Sequence, residues 1–154
     1  MKKDIDLIDQ FAGAGKDSFT KYHGSIHDED AAKRFGVRLK VEYDYWSWKA
    51  CAIANVAMIL KNECKLKETL YDLICEAQLM NGYAFKNIRG KENIGWKHKA
   101  LEEILKKRGL RSEKKIHFKV EELIRLDKEP VYFIASIKSK SGSHRGLVTG
   151  VDDK

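Results

Sequence analysis

Residues 49–60 have the sequence KACAIANVAMIL, and the apolar residues in this stretch decide the fold prediction. Their spacing fits an α-helix, but they lie on all sides of it and not on one face. Such a helix needs other elements around it, so we predict that it is central and buried. The residues that give it this character are Ala52, Ile53, Ala54, Val56, Ala57, Met58, Ile59 and Leu60.

The segments on either side have weaker patterns. Apolar residues alternate with polar ones over 37–43, which predicts a half-buried strand. Residues 79–95 predict a long loop, and Gly109 is placed to end a helix. The other predicted elements are helices over Asp4–Phe11, Lys67–Ala77, Trp96–Arg108 and Val120–Leu126, and strands over Pro130–Ile137 and His144–Val151 joined by the turn SKSGS. Helices come before strands, which favours an α+β domain.

Length and composition indicate a folded chain. With 154 residues, 43% of them hydrophobic, it can build one core and is not disordered throughout. No segment approaches the roughly 18 apolar residues of a membrane span. The N-terminus lacks the apolar core of a signal peptide, so the cytoplasm is the default location and export stays open.

The net charge of +7 is spread through segments of mixed sign. This pattern favours a solvated basic surface, and binding to a polyanion such as nucleic acid is the alternative. No RNA-binding aromatic motif, zinc finger or helix-turn-helix pattern is present, so a nucleic-acid partner is the weaker hypothesis.

The chain has three cysteines, Cys51, Cys64 and Cys75, and no CxxC pair. Their number and spacing support neither a zinc knuckle nor a disulfide scaffold. We therefore predict free thiols, with no metal and no cofactor.

Cys51 is the cysteine whose surroundings suggest chemistry. It lies in the first turn of the predicted central helix, where free N–H groups and the helix dipole stabilise a thiolate. A catalytic cysteine also needs an imidazole, and His144 follows a Gly/Ser turn and opens the last predicted strand. The alternative is that Cys51 is one more small buried side chain of the core.

Three blocks of the chain resemble the papain-like fold, specifically the family of bacteriocin-processing (double-glycine leader) peptidase-like domains. KACAIANVAMIL (49–60) resembles that family's nucleophile helix, and GWKHKALEEILKKRGL (95–110) resembles its Gly-Trp block with the amphipathic helix that follows. EPVYFIASIKSKSGSHRGLVTGVDD (129–153) resembles its closing pair of strands, in which a histidine opens the second. The resemblance implies that a central helix carrying the cysteine packs on an antiparallel sheet carrying the histidine. It divides the chain into an N-terminal extension, 1–36, and a papain-like domain, 37–154.

The resemblance also implies a function. Cys51 would be the nucleophile and His144 the general base, in a cysteine peptidase-like hydrolase that acts on amide bonds of a peptide or protein substrate. Tyr45 stands where papain-like enzymes have an oxyanion-binding Gln, and it is the candidate for that role. Ala52 replaces the usual Gly after the cysteine, and the expected residue that orients the imidazole has no counterpart before Lys154. These departures predict a weak or lost activity and a domain truncated at its C-terminus. They leave open an inactive peptide- or leader-binding module of the same fold.

Overall fold

The computed structural model describes residues 5–19, 26–85, 95–115, 119–126, 128–139 and 142–148. Two short 3-10 turns, at Lys16–Ser18 and Ser47–Lys49, accompany six helices and four strands in these ranges. The helices are α1 (Glu29–Phe35), α2 (Lys40–Trp46), α3 (Cys51–Cys64), α4 (Leu70–Leu79), α5 (His98–Lys106) and α6 (Val120–Leu126). The strands are β1 (Tyr83–Ala84), β2 (Gly95–Trp96), β3 (Phe133–Ser139) and β4 (Gly142–Val148).

Helix α3 is the centre of the fold. Every residue from Ala52 to Leu60 is buried, and the helix contacts α4, α5 and β4. The predicted central, buried helix is therefore confirmed. Its apolar residues are needed on all sides because α3 has packing partners among both the helices and the strands.

Strands β3 and β4 form an antiparallel hairpin in which Phe133 pairs with Val148 and Ile137 pairs with His144. Strands β1 and β2 form a second, two-residue antiparallel pair, with Tyr83 opposite Trp96. The α+β class and the two late strands are confirmed. Lys140 and Ser141 of the predicted turn, and residues 149–151 of the last predicted strand, lie outside the described residues.

The predicted strand over residues 37–43 is wrong, because Lys40–Trp46 forms helix α2. The alternating residues are not a buried face: Leu39 is 60% exposed and Val41 is 67% exposed. Burial instead follows the helical spacing of Tyr43 and Trp46, which enter the core. The Glu42 carboxylate, in the first turn of α2, accepts a hydrogen bond from the N–H of Leu39, the residue that precedes the helix.

The predicted helix over Asp4–Phe11 is also wrong for the described residues 5–11. The Asp9 carboxylate accepts hydrogen bonds from the N–H groups of Phe11 (2.7 Å) and Gly13 (2.8 Å), which closes a turn in place of a helix. A hydrogen bond joins this turn to α2, because the Tyr43 hydroxyl donates to the Phe11 carbonyl at 2.6 Å.

Ile26, Ala31 and Phe35, within the predicted N-terminal extension, are fully buried in the same core as α3. The boundary at residue 36 stays a prediction. Among the described residues, no helix is both long enough and apolar enough to cross a bilayer.

The middle of the chain follows the predictions with shifted bounds. Helix α4 begins after Thr69, whose hydroxyl accepts from the Asp72 N–H, and α6 has the predicted bounds. Helix α5 begins at His98 because Trp96 belongs to β2. Gly109 has the left-handed φ of +79° expected of a residue that ends a helix. The predicted loop over 79–95 contains the end of α4 and parts of β1 and β2, while residues 86–94 lie outside the described residues.

We expect Gly36→Ala to destabilise the protein by about 2–4 kcal/mol, and Gly109→Ala by about 1 kcal/mol. Both glycines have positive φ, so alanine is strained at either position. At Gly36 an added Cβ would also overlap the side chain of Thr69, the N-cap of α4, whereas at Gly109 the space is open. Urea unfolding of the two variants measures the difference, and equal losses would contradict the close approach of Gly36 to the Thr69 side chain.

Candidate active site around Cys51

Cys51 is the first residue of α3, and its thiol is half-buried. The 3-10 turn Ser47–Lys49 and Ala50 lead directly into the helix. Ala50 offers no side-chain oxygen to cap the helix, and the first turn contains no acidic residue. The N–H groups and positive dipole end of α3 are therefore available to an anionic sulfur.

The other two free cysteines lie in different surroundings. Cys64 is the last residue of the same helix, is exposed, and donates to the Arg108 carbonyl at 3.7 Å. It thus lies at the negative end of the helix dipole. Cys75 is half-buried within α4, and burial raises the pKa of its thiol. Cys51 is the cysteine at the electropositive end of a buried helix.

Trp96 holds the turn that precedes Cys51. Its buried indole Nε1 donates to the Lys49 carbonyl at 2.6 Å. The pairing of β2 with β1 holds the Trp96 backbone, and its ring packs against Tyr83 at a centroid distance of 4.9 Å. The Gly-Trp block of the sequence thereby fixes the turn that leads into α3.

Arg145, on β4, is joined to the site by its backbone and its side chain. Its carbonyl accepts a hydrogen bond of 2.8 Å from Nδ2 of Asn55, which lies one helical turn after Cys51. Its Nη2 donates to the Trp96 carbonyl at 2.7 Å and lies 3.5 Å from Nε2 of His98. These contacts place the guanidinium group at the start of α5 and the backbone of Arg145 against α3.

Burial lowers the pKa of the Arg145 guanidinium, and the negative charge of Cys51 acts in the opposite direction. The two groups are therefore electrostatic neighbours. Because a guanidinium stays protonated in proteins, Arg145 is a cation throughout the pH range in which thiols titrate.

His98 is a second imidazole in this region, which we did not predict as a site residue. Burial is the largest cause that lowers the pKa of the His98 imidazole. The positive charges of Arg145 and Lys114 lower this pKa further, and the negative charge of Glu102 raises it. The lowered pKa favours the neutral form of the His98 imidazole.

The predicted base His144 lies on β4, where its backbone is opposite Ile137 and next to Arg145. Its side chain lies outside the described part of the structure, so its role stays a prediction.

Tyr45, the predicted oxyanion residue, is 42% exposed, and Nζ of Lys49 lies 3.7 Å from its ring centroid. Burial, and then the charges of Tyr45 and Cys51, raise the pKa of Tyr83 to about 12. Tyr45 and Cys51 thus share Tyr83 as an electrostatic neighbour. The role of Tyr45 as an oxyanion donor also stays a prediction.

Aromatic rings form a wall on this side of the site. Trp46 packs edge-on against Tyr83 (5.5 Å between centroids) and Phe85 (6.2 Å), and is tilted against Trp96 (5.8 Å). Phe85 is 57% exposed, so the wall reaches the surface and offers apolar contact to a bound molecule.

Sequence reasoning missed Arg145, Asn55 and His98. Arg145 has no local signal in the sequence, because its side-chain hydrogen bond to the Trp96 carbonyl joins residues that are 49 positions apart. Asn55 is the one polar residue between Cys51 and Leu60, which marks it as a buried group with a specific partner.

No protein-family model, curated protein or solved structure matches this chain. Within the described ranges, no group of three or more His, Cys, Asp or Glu side chains is placed to hold a metal ion. The chemical groups that the described site brings together are a thiol, a guanidinium, an imidazole and the N–H groups of a helix.

Proposed function

We propose that the chain is a papain-like cysteine peptidase-like hydrolase that cleaves peptide amide bonds through the Cys51 thiolate. The observation that carries the proposal is the position of Cys51 at the first turn of the buried helix α3. The packing of α3 against β4, the strand that contains His144, supports the papain-like arrangement.

In the proposed reaction His144 takes the proton of the Cys51 thiol, and the sulfur attacks the carbonyl carbon of the scissile amide. The C–N bond breaks, the amine leaves with the proton from the imidazolium, and an acyl group remains on sulfur as a thioester. Water then attacks the thioester, gives a proton to the imidazole and releases the acid. The thiol is restored by return of that proton.

The developing oxyanion needs hydrogen-bond donors that point at it. The unpaired N–H groups of the first turn of α3 supply one set, and the Tyr45 hydroxyl is the proposed side-chain donor. The exposed part of the aromatic wall, at Phe85 and Tyr45, favours a peptide with apolar or aromatic side chains as the substrate.

The test is incubation of the full chain with a pool of unstructured peptides, followed by mass spectrometry of the peptides and of the protein. We expect new peptide termini and an acyl adduct on Cys51 that neutral hydroxylamine removes, as it does for thioesters. Intact peptides and an unmodified Cys51 between pH 6 and 8 would contradict the proposal.

An inactive peptide-binding module is the second candidate, and the surroundings of Tyr45 favour it. The Lys49 ammonium covers one face of the Tyr45 ring and donates to the Tyr45 carbonyl at 2.9 Å, which ties this residue to its own turn. In such a module, Cys51→Ala would bind the same peptides with unchanged affinity, and the wild-type chain would cleave none of them.

A further inference from the structure

We propose that Asn55 is a positioning residue that sets the place of His144 relative to Cys51, by fixing where strand β4 lies along helix α3. This inference deepens the proposed function and rests on it for the roles of Cys51 and His144. It concerns how the nucleophile and the base, which are far apart in the sequence, are brought into register.

Asn55 is a buried polar residue in an otherwise apolar part of α3. It is 4% exposed, and the other residues from Ala52 to Leu60 are apolar. Its Nδ2 donates to the Arg145 carbonyl at 2.8 Å and so joins α3 directly to β4. A buried amide is costly unless it is hydrogen-bonded, so this bond is a specific part of the packing between the two elements.

The bond lies close to both reacting residues along their elements. Asn55 comes four residues after Cys51, which is about 6 Å along a helix axis that rises about 1.5 Å per residue. Arg145 is the next residue after His144, which is about 3.3 Å along a strand. The hydrogen bond between Asn55 and Arg145 therefore fixes the backbone of His144 relative to the start of α3.

A second set of hydrogen bonds connects the same strand residue to the chain before Cys51. Arg145 Nη2 donates to the Trp96 carbonyl at 2.7 Å, and the Trp96 indole donates to the Lys49 carbonyl at 2.6 Å. Strand β4 is thus joined to the chain on both sides of Cys51, and Asn55 supplies the connection after it.

Apolar packing alone would hold α3 and β4 together without fixing their register. Hydrophobic contact has no preferred direction, whereas a hydrogen bond restricts both the donor–acceptor distance and the angle. A shift of one residue along β4 would move the His144 backbone by about 3.3 Å, and misplacement of a catalytic group by about 1 Å can cost about 10²-fold in rate. The role of Asn55 is therefore to set the geometry of the site.

The test is a double-mutant cycle with Asn55→Leu and His144→Ala in the full chain. Leu keeps the branched shape of Asn but has no donor for the Arg145 carbonyl. We expect Asn55→Leu to lower kcat for peptide cleavage about 10²-fold. We expect it also to slow the iodoacetamide labelling of Cys51 at pH 7 about fivefold, because a displaced imidazole no longer takes the thiol proton. In the His144→Ala background, Asn55→Leu should lower neither rate further.

Asn62→Leu is the matched control. Asn62 lies on the same helix and its Nδ2 also donates at 2.8 Å, but to the Met58 carbonyl of α3 itself. We expect Asn62→Leu to keep turnover and Cys51 labelling within about twofold of the wild-type rates. A loss equal to that of Asn55→Leu would overturn the inference, because it would trace the effect to α3 and not to its bond with β4.

Asn55→Ser covers the case in which Asn55→Leu does not fold. Its side chain is one bond shorter than that of Asn, so it loses the Arg145 carbonyl without adding bulk, and the same losses are expected. A chain of either variant that is folded by circular dichroism and labels Cys51 at the wild-type rate would overturn the inference. A loss that is equally large in the His144→Ala background would also overturn it, because the effect would not pass through His144.

The outcomes also separate this inference from the proposed function. Slower Cys51 labelling in Asn55→Leu that disappears in the His144→Ala background, together with no peptide cleavage by the wild-type chain, would support the role of Asn55 and contradict the peptidase. Peptide cleavage that depends on Cys51 and His144 but is unchanged in Asn55→Leu would support the peptidase and contradict the role of Asn55.

Discussion

We expect the Cys51→Ser chain to cleave peptides about 10³-fold or more slowly than the wild-type chain, because a serine hydroxyl is far less ionised than a thiol at pH 7. The substitution changes one atom at the first residue of α3 and leaves the helix, its N-terminal Ala50 and the Trp96–Lys49 hydrogen bond in place. The free energy of unfolding should therefore change by less than about 1 kcal/mol. Peptide turnover and urea unfolding, measured on the same preparations, check both parts.

Cys64→Ser is the matched control for this prediction. It makes the same atomic change at the opposite end of the same helix, where the thiol is exposed and bonded to the Arg108 carbonyl. We expect Cys64→Ser to keep wild-type turnover. An equal loss in both variants would show that the sulfur of Cys51 has no special part in the reaction.

The second large effect is expected at His144. Positioned acid–base groups contribute about 10²–10⁴-fold to rates of this kind, so His144→Ala should lower peptide turnover by about that factor. Peptide turnover in His144→Ala within about threefold of the wild-type rate would contradict the role of His144 as the base.

His98→Ala is the control that separates the two imidazoles. His98 begins α5, and its Nε2 lies 3.5 Å from Arg145 Nη2, so it is the histidine whose side chain the described structure brings to this site. We expect turnover in His98→Ala within about threefold of the wild-type rate. A loss about 100-fold or larger in His98→Ala, with a small loss in His144→Ala, would move the proton-transfer role from β4 to α5.

The sequence predicted the parts of the fold where one strong pattern dominates. The apolar run Ala52–Leu60 predicted the buried helix, because no exposed element tolerates apolar residues on every side. Gly109 was predicted to end a helix because glycine tolerates a left-handed backbone. The two late strands were predicted from two apolar segments joined by a Gly/Ser turn.

The predictions failed where two patterns overlap or where the contact is distant. Residues 37–43 alternate like a strand, but the large side chains of Tyr43 and Trp46 fill the core at helical spacing, and packing outweighs the alternation of the smaller residues. The Asp9 side chain accepts from the Phe11 N–H, which the predicted helix would have used, and from the Gly13 N–H just beyond that helix.

The site was predictable at Cys51 and not at Arg145. Helix position is a local property, so the N-terminal location of the cysteine could be inferred from residues 49–60 alone. The place of Arg145 depends on the hydrogen bond from Asn55, which is 90 residues away in the sequence, and on the Trp96 carbonyl. Contacts of this range have no signature in a single sequence.

The central claim is that Cys51, at the first turn of α3, is the reactive nucleophile of the chain, and its labelling rate in the wild-type chain tests that claim most directly. Iodoacetamide at pH 7, with mass spectrometry of each cysteine, should modify Cys51 about tenfold faster than the exposed Cys64 on the same helix, although Cys51 is half-buried. A rate at Cys51 equal to or below that at Cys64 would contradict the account.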